Sequence, residues 1–89
     1  PGTAGLAGRS MSERTLLSAW TGARDRLKAA GVDSPVIDAR LMLEAAAGAT
    51  RTDILTDPYR VLTAEQGAAL DGYLERRERR EPVGRILGR

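Results

Sequence analysis

The sequence predicts an all-α domain, a small bundle of four to five short helices. Leucine and alanine supply most of the apolar residues, whereas the 89-residue chain has no Phe, one Trp and two Tyr. Leu and Ala favour helices, and the aromatic and β-branched residues that favour strands are scarce. Apolar residues also recur at spacings of three and four positions, and residues typical of helix starts precede several of these runs.

The first helix is predicted from Thr15 to Ala30. Its apolar residues share one face, which Leu17 widens: Leu16, Trp20, Ala23, Leu27 and Ala30. The position of Trp20 on this face predicts a core residue rather than an exposed binding anchor. Gly31 stands where the end of a helix favours a left-handed residue.

The second helix is predicted to begin at Pro35, with Ser34 as its N-cap, and to end before Gly48. Its main apolar stripe, beside which Met42 lies, comprises Val36, Ala39, Leu43 and Ala46. Apolar residues on more than one side predict a central place in the bundle. A short third helix is predicted over Arg51–Thr56, with Thr50 as its cap.

The fourth helix has the strongest start signal, because Thr63 and Gln66 have the spacing of a capping box. It is predicted to run to about Arg80. The last segment, Pro82–Leu87, is expected to form one or two helical turns with its final two apolar residues facing inward. Short connections between helices favour a compact bundle of antiparallel neighbours.

The first ten residues differ from the rest of the chain, because residues 1–10 are rich in Gly and have no periodicity. We interpret them as a cloning remnant or a disordered lead before Met11, and expect one domain over residues 11–89. No apolar run approaches the ~20 residues of a membrane span, and no secretory signal is visible. A cytoplasmic protein without membrane contacts is therefore expected.

The residue content argues against catalysis in this chain. It has no Cys and no His, which excludes disulfides, thiolate nucleophiles, Cys/His zinc sites and the most common general base. We predict no catalytic, cofactor-binding or metal-binding residue. Glu75 and Glu78, one helical turn apart, are expected to be solvated, with Glu75 paired to Arg79, rather than to form an acid–base pair.

The charge pattern leaves three interpretations open. The net charge is +2, from 14 basic and 12 acidic residues, which gives nucleic-acid binding little support. The densest feature is the segment 76–80, four arginines around Glu78. It is interpreted as a solvated helix end whose cations complement the dipole, as a protein-binding patch, or as a nucleic-acid contact. Interleaved glutamates weigh against the last.

Three segments, in order, resemble the corresponding segments of one protein family. They read LKAAGVDSPVIDARLMLEAAAG at 27–48, TRTDILTDPYRVLTAEQ at 50–66 and LERRERREPVGRILGR at 74–89. Together they resemble the N-terminal domain of the bacterial release factor glutamine methyltransferases, the HemK/PrmC family, over residues 15–89. The chain departs from the family pattern at Gly84-Arg85, where the family often has a residue followed by an aromatic.

The resemblance implies a longer parent enzyme. Family members carry a C-terminal S-adenosylmethionine-dependent methyltransferase domain of Rossmann-like fold, which methylates the Gln of the Gly-Gly-Gln motif in class-I peptide chain release factors. The family's cofactor motif and its Asn-Pro-Pro-Tyr motif lie downstream, so this chain is expected to end near the linker to an absent catalytic domain. S-adenosylmethionine is expected in the full-length parent and no cofactor in these 89 residues.

The role left to this domain is recognition of the release factor, as a monomer and without direct contact to nucleic acid. The candidate partner-binding residues, which we call the arginine cluster, are Arg76, Arg77, Arg79, Arg80 and Arg85. The alternatives are a nucleic-acid-binding helical domain and a helical adaptor or dimerisation module. The former requires a basic stripe without interleaved acids, and the latter a large exposed apolar patch.

Overall fold

The computed structural model describes residues 13–88. The five helices of this range are α1 (Leu16–Ala29), α2 (Pro35–Ala47), α3 (Arg51–Thr56), α4 (Ala64–Glu78) and α5 (Val83–Leu87). The described residues form no strand, only one isolated antiparallel bridge between Thr15 and Val61. The prediction of an all-α bundle is confirmed. The lead predicted at residues 1–10 lies outside the described residues.

Side-chain caps determine where three helices begin. Thr50 and Thr63 each accept the backbone N–H three residues on, and the side chain at that position accepts in return from the threonine N–H. Both predicted caps are thus confirmed, and Thr15 forms a third capping box with Ser18 at α1. Ser34 precedes α2 as predicted, but its side chain makes no capping hydrogen bond because its backbone (φ −125°, ψ 64°) is not extended.

Left-handed residues end α1, α2 and α4. Gly31 (φ 79°) and Gly48 (φ 63°) occupy the first two of these positions, as predicted. α4 ends at Glu78, earlier than the predicted Arg80, because Arg80 itself is left-handed (φ 70°). The N–H of Arg80 donates to the carbonyl of Arg77, as in a Schellman motif. Residues other than glycine rarely adopt this conformation, so Arg80 gives no sequence signal for the early end of α4.

The core lies between α1, α2 and α4, and α5 packs against α2 and α4. Its largest fully buried side chains are Leu16, Leu27, Met42, Leu43 and Leu70. The predicted central place of α2 is confirmed, since α2 contacts α1, α4 and α5. Ile86 on α5 is buried and Leu87 is partly buried against the core, which agrees with the predicted inward faces.

One side of α1 and α2 is less covered than its apolar residues predict. Trp20 packs against the margin of the core and is only partly buried, so its predicted core position holds in part. Leu17 and Val36, both predicted on buried faces, are 42% and 50% exposed. The helix on this side is α3, and its six residues are too few to cover the face.

The capping box of α4 provides a stability prediction. We expect Thr63→Ala to lower the free energy of unfolding by about 1 kcal/mol, because the N–H of Gln66 would lose its acceptor. Urea denaturation followed by circular dichroism measures the change. The matched control is Thr52→Ala, an exposed position inside α3 that caps nothing, which should change stability by less than about 0.5 kcal/mol. Equal losses for the two variants would contradict the capping role.

Candidate partner-binding surface

The arginine cluster lies on the last turn of α4, the loop after it and α5. The residues lining an open cleft of about 570 Å³ there are Arg76, Arg79, Arg80, Glu81, Pro82 and Arg85. The remaining member, Arg77, contacts α2 instead. The structure therefore brings four of the five predicted residues together around one cleft.

Arg77 is used for packing within the domain. Its Nε donates to Oδ2 of Asp38 on α2 at 3.0 Å, and its Nη1 donates to the carbonyl of Glu81 at 3.3 Å. Asp38 is the buried charged residue of the described chain, and Arg77 is itself mostly buried. A charge pair of this kind holds α4 against α2, and it engages the Arg77 side chain within the domain.

Arg76 and Arg80 also have partners inside the domain. Arg76 forms a bidentate ion pair with Glu81, in which its Nε donates at 3.1 Å. This hydrogen bond holds the pKa of Glu81 below its ordinary value. The Nη2 of Arg80 donates to the carbonyl of Ala30 at the end of α1, at 2.7 Å. Both arginines thus tie the loop after α4 to its surroundings while still facing the cleft.

Arg79 and Arg85 are the members available for intermolecular contact. Both are exposed, and within residues 13–88 neither makes a side-chain hydrogen bond or an ion pair. They face the same cleft. Within the arginine cluster, Arg76, Arg77 and Arg80 thus have partners inside the domain. Arg79 and Arg85 are the two members whose charges remain available to a partner.

The predicted environment of the two glutamates is wrong in two respects. Glu78 is paired across the bundle, since Arg26 on α1 donates to its two carboxylate oxygens at 2.7 and 2.9 Å. These hydrogen bonds hold the pKa of Glu78 below the ordinary value of 4.5. Glu75 is exposed as expected, but no ion pair joins it to Arg79 in the described range. Sequence spacing favoured the neighbour along the helix, and tertiary packing supplied a different arginine.

The Arg26–Glu78 pair makes stability depend on pH. Because the pKa of Glu78 is lower in the folded chain, its contribution is present above pH 4.5 and is lost as the pH falls through the folded value. We therefore expect stability to fall as the pH drops from neutrality to below 4.5. Thermal unfolding across this range should show a smaller fall for Glu78→Gln. Glu75→Gln, the matched control, should retain the wild-type slope, and a wild-type slope for Glu78→Gln would contradict the coupling.

A second surface feature lies on the poorly covered side of α1 and α2. An apolar groove of about 310 Å³ separates these helices from α3, and its lining residues are Leu17, Trp20, Val36, Arg40, Arg51, Ile54 and Leu55. Leu55 is 73% exposed. The floor and walls of this groove are apolar, and its charged lining residues are the two arginines.

The described residues contain no group of carboxylates arranged to hold a metal ion. No helix within them has the length and apolar character needed to cross a membrane.

Comparison with known proteins identifies the family. Residues 18–88 match the model of the PrmC N-terminal domain. The chain belongs to this family. The match covers all five helices of the PrmC N-terminal domain except the first two residues of α1, so the resemblance noted over residues 15–89 is confirmed.

Curated relatives of this PrmC N-terminal domain are release factor glutamine methyltransferases. That of Caulobacter vibrioides is 71% identical over 75 residues, which are 84% of this chain and 26% of the relative. Those of Agrobacterium fabrum and Rhodospirillum rubrum are 40% and 48% identical, over 85% and 71% of this chain and 26% and 19% of theirs. The chain thus spans about a quarter or less of these relatives. No solved structure matches it significantly.

The apolar groove of this PrmC N-terminal domain is the feature that the sequence did not predict. Leu17, Trp20 and Val36 were assigned to buried faces by periodicity, which identifies an apolar face but not what covers it. The available signal was the length of α3, since a helix with Ile54 and Leu55 as its apolar content cannot shield two longer helices.

Proposed function

We propose that this domain is the release-factor-binding part of an S-adenosylmethionine-dependent enzyme. The parent would methylate the Gln of the Gly-Gly-Gln motif in class-I peptide chain release factors in the cytoplasm. The observation that carries the proposal is the family match over residues 18–88, together with a 71% identical relative that is a release factor glutamine methyltransferase. The methyl donor would bind the part of the parent beyond this chain.

The physical reason for a separate binding domain is positioning. Transfer of a methyl group to an amide nitrogen requires the two reacting groups to be held in a narrow range of distance and orientation. A second domain that grips the release factor away from the glutamine adds binding energy, which restricts the approach of the substrate. The residues described here supply surfaces for such a grip, an exposed pair of arginines and an apolar groove.

Competition tests the proposal. The 89-residue domain, added in excess, should inhibit methylation of an intact class-I release factor by the full-length parent, because both proteins would bind the same surface. It should not inhibit methylation of a short Gly-Gly-Gln peptide, which carries no second contact. Calorimetry should detect weak binding of the domain to the release factor and none to S-adenosylmethionine. Absence of both binding and inhibition would refute the proposed function.

The two available arginines provide a sharper prediction within the full-length parent. Arg79→Ser with Arg85→Ser should lower kcat/KM for the intact release factor by about two- to tenfold at low salt, and less at high salt. The control is Lys28→Ser, which removes an exposed positive charge that lies outside the cluster and makes no ion pair within residues 13–88. Circular dichroism checks the fold of each variant. A kcat/KM of the double variant equal to that of Lys28→Ser would remove Arg79 and Arg85 from the binding surface.

A further inference from the structure

We propose that the apolar groove binds an acidic amphipathic segment of the release factor, with an apolar side chain seated beside Trp20. This inference rests on the proposed function and assigns a place and a chemistry to the contact. It extends the binding surface from the arginine cluster to a face built by α1, α2 and α3.

Exposed apolar residues are concentrated in this groove. Leu17, Val36 and Leu55 are 42%, 50% and 73% exposed, and all three line this one groove. Single exposed apolar side chains are ordinary on a protein surface, whereas a contiguous group marks a contact site. They surround Trp20, the residue type most enriched among the dominant contacts of interfaces.

The aromatic ring of Trp20 has an intramolecular neighbour before any partner binds. The guanidinium of Arg24, one turn along α1, lies 5.1 Å from the centre of the Trp20 ring. One side of the indole therefore has an intramolecular neighbour, and another side of Trp20 lines the groove. A ring that is already ordered loses little conformational entropy on binding.

The charges that line the groove identify the chemistry of the occupant. The charged residues lining the groove are Arg40 and Arg51, with no carboxylate among them. Arg51 makes no ion pair within residues 13–88. Arg40 forms an ion pair with Glu44 on the same helix, in which its buried Nε lies 3.5 Å from Oε2 without making a hydrogen bond. A segment that places carboxylates beside these cations and an apolar residue between them would complement both features.

The same charges disfavour a second copy of the domain as the occupant. A symmetric dimer would place the same patch against itself. The Arg51 side chains of both copies, which have no ion-pair partner within residues 13–88, would then approach one another across a small apolar contact. An amphipathic helix of a partner, with apolar anchors on one face and acidic residues beside them, would bring carboxylates to these arginines in place of like charges.

Nuclear magnetic resonance can test the inference directly. Trp20 is the single Trp of the chain, so a ¹⁵N-labelled domain has one indole N–H signal whatever the partner contains. On titration with an unlabelled class-I release factor, this signal and the amides of Leu17 and Leu55 should shift. Leu55→Asp should weaken binding about tenfold or more. Tyr59→Asp, at 74% exposure and outside the groove, is the matched control and should bind as the wild type does.

Charge reversal provides an independent test of the groove proposal. Arg51→Glu should weaken binding of the release factor by about tenfold, whereas Lys28→Glu, at a position outside the groove that makes no ion pair within residues 13–88, should have a much smaller effect. Both positions are exposed, and thermal unfolding of each variant checks the fold. Equal affinity of these two variants, or wild-type affinity of Leu55→Asp, would overturn the groove proposal.

The remaining outcomes separate the two proposals. If the wild-type domain does not bind the release factor, the proposed function fails. If it binds but only residues of the arginine cluster shift, the groove inference fails and the function stands. Concentration-dependent self-association that Leu55→Asp abolishes would assign the groove to a second copy. A lower melting temperature for Leu55→Asp in the full-length parent, but not in the domain, would assign it to the parent's own remaining chain. Either result overturns the inference.

Discussion

Replacement of Leu43 by alanine is expected to lower the free energy of unfolding by about 2–5 kcal/mol. Leu43 is fully buried on α2, the helix that contacts α1, α4 and α5. Because Leu43 has neighbours on several sides, the structure can collapse only partly into the cavity left by the substitution. This increases the loss of stability. A domain of this size has a total stability near the lower end of about 5–15 kcal/mol, so the variant should melt at least about 10 °C lower.

Thermal and urea unfolding, followed by far-ultraviolet circular dichroism, measure this effect. The control is Leu55→Ala, the same change at a residue that is 73% exposed, which should alter stability by less than about 0.5 kcal/mol. A similar loss for the two variants would contradict the core described here. The comparison also separates the packed centre of the bundle from the groove, where apolar residues are present but uncovered.

The second large effect is expected at the buried ion pair. Asp38→Ala should destabilise the domain by about 3 kcal/mol, because Arg77 would keep a mostly buried charge without its carboxylate. The side chain of Asp38 is 9% exposed and that of Arg77 is 20% exposed. The residual access of water to Arg77 places the expected value at the lower end of the range for buried pairs.

A double-mutant cycle isolates the coupling between Asp38 and Arg77. Arg77→Ala should cost less in the Asp38→Ala background than in the wild type, since the second change removes the unpaired charge. Asp71→Ala breaks the more exposed pair with Arg14 and, as the control, should cost at most about 1 kcal/mol. Additive losses at Asp38 and Arg77 would show that the pair contributes no coupling.

These internal pairs determine how the arginine cluster can be tested. A variant that removes Arg76, Arg77 and Arg80 together would lose contacts to Glu81, Asp38 and the end of α1 at once. Weaker binding by such a variant would then reflect damage to the fold and not the loss of a contact with the release factor. Arg79 and Arg85 avoid this difficulty, because no hydrogen bond or ion pair of residues 13–88 involves their side chains.

The sequence by itself determined the fold class and most helix boundaries, because the signals involved are local. The capping box at Thr63, the cap at Thr50 and the left-handed positions of Gly31 and Gly48 depend on residues within one or two turns. The short family segments, likewise read along the chain, identified the family that the match over residues 18–88 confirms.

Only the tertiary structure decided which charged and apolar residues are available to a partner. The partners of Arg77 and Glu78 are Asp38 and Arg26, which lie 39 and 52 positions away. No local pattern predicts such pairs, because they form only when helices distant in sequence pack together. Exposure of the groove has a similar cause: periodicity places Leu17 on an apolar face, but whether another helix covers that face depends on the length and placement of α3.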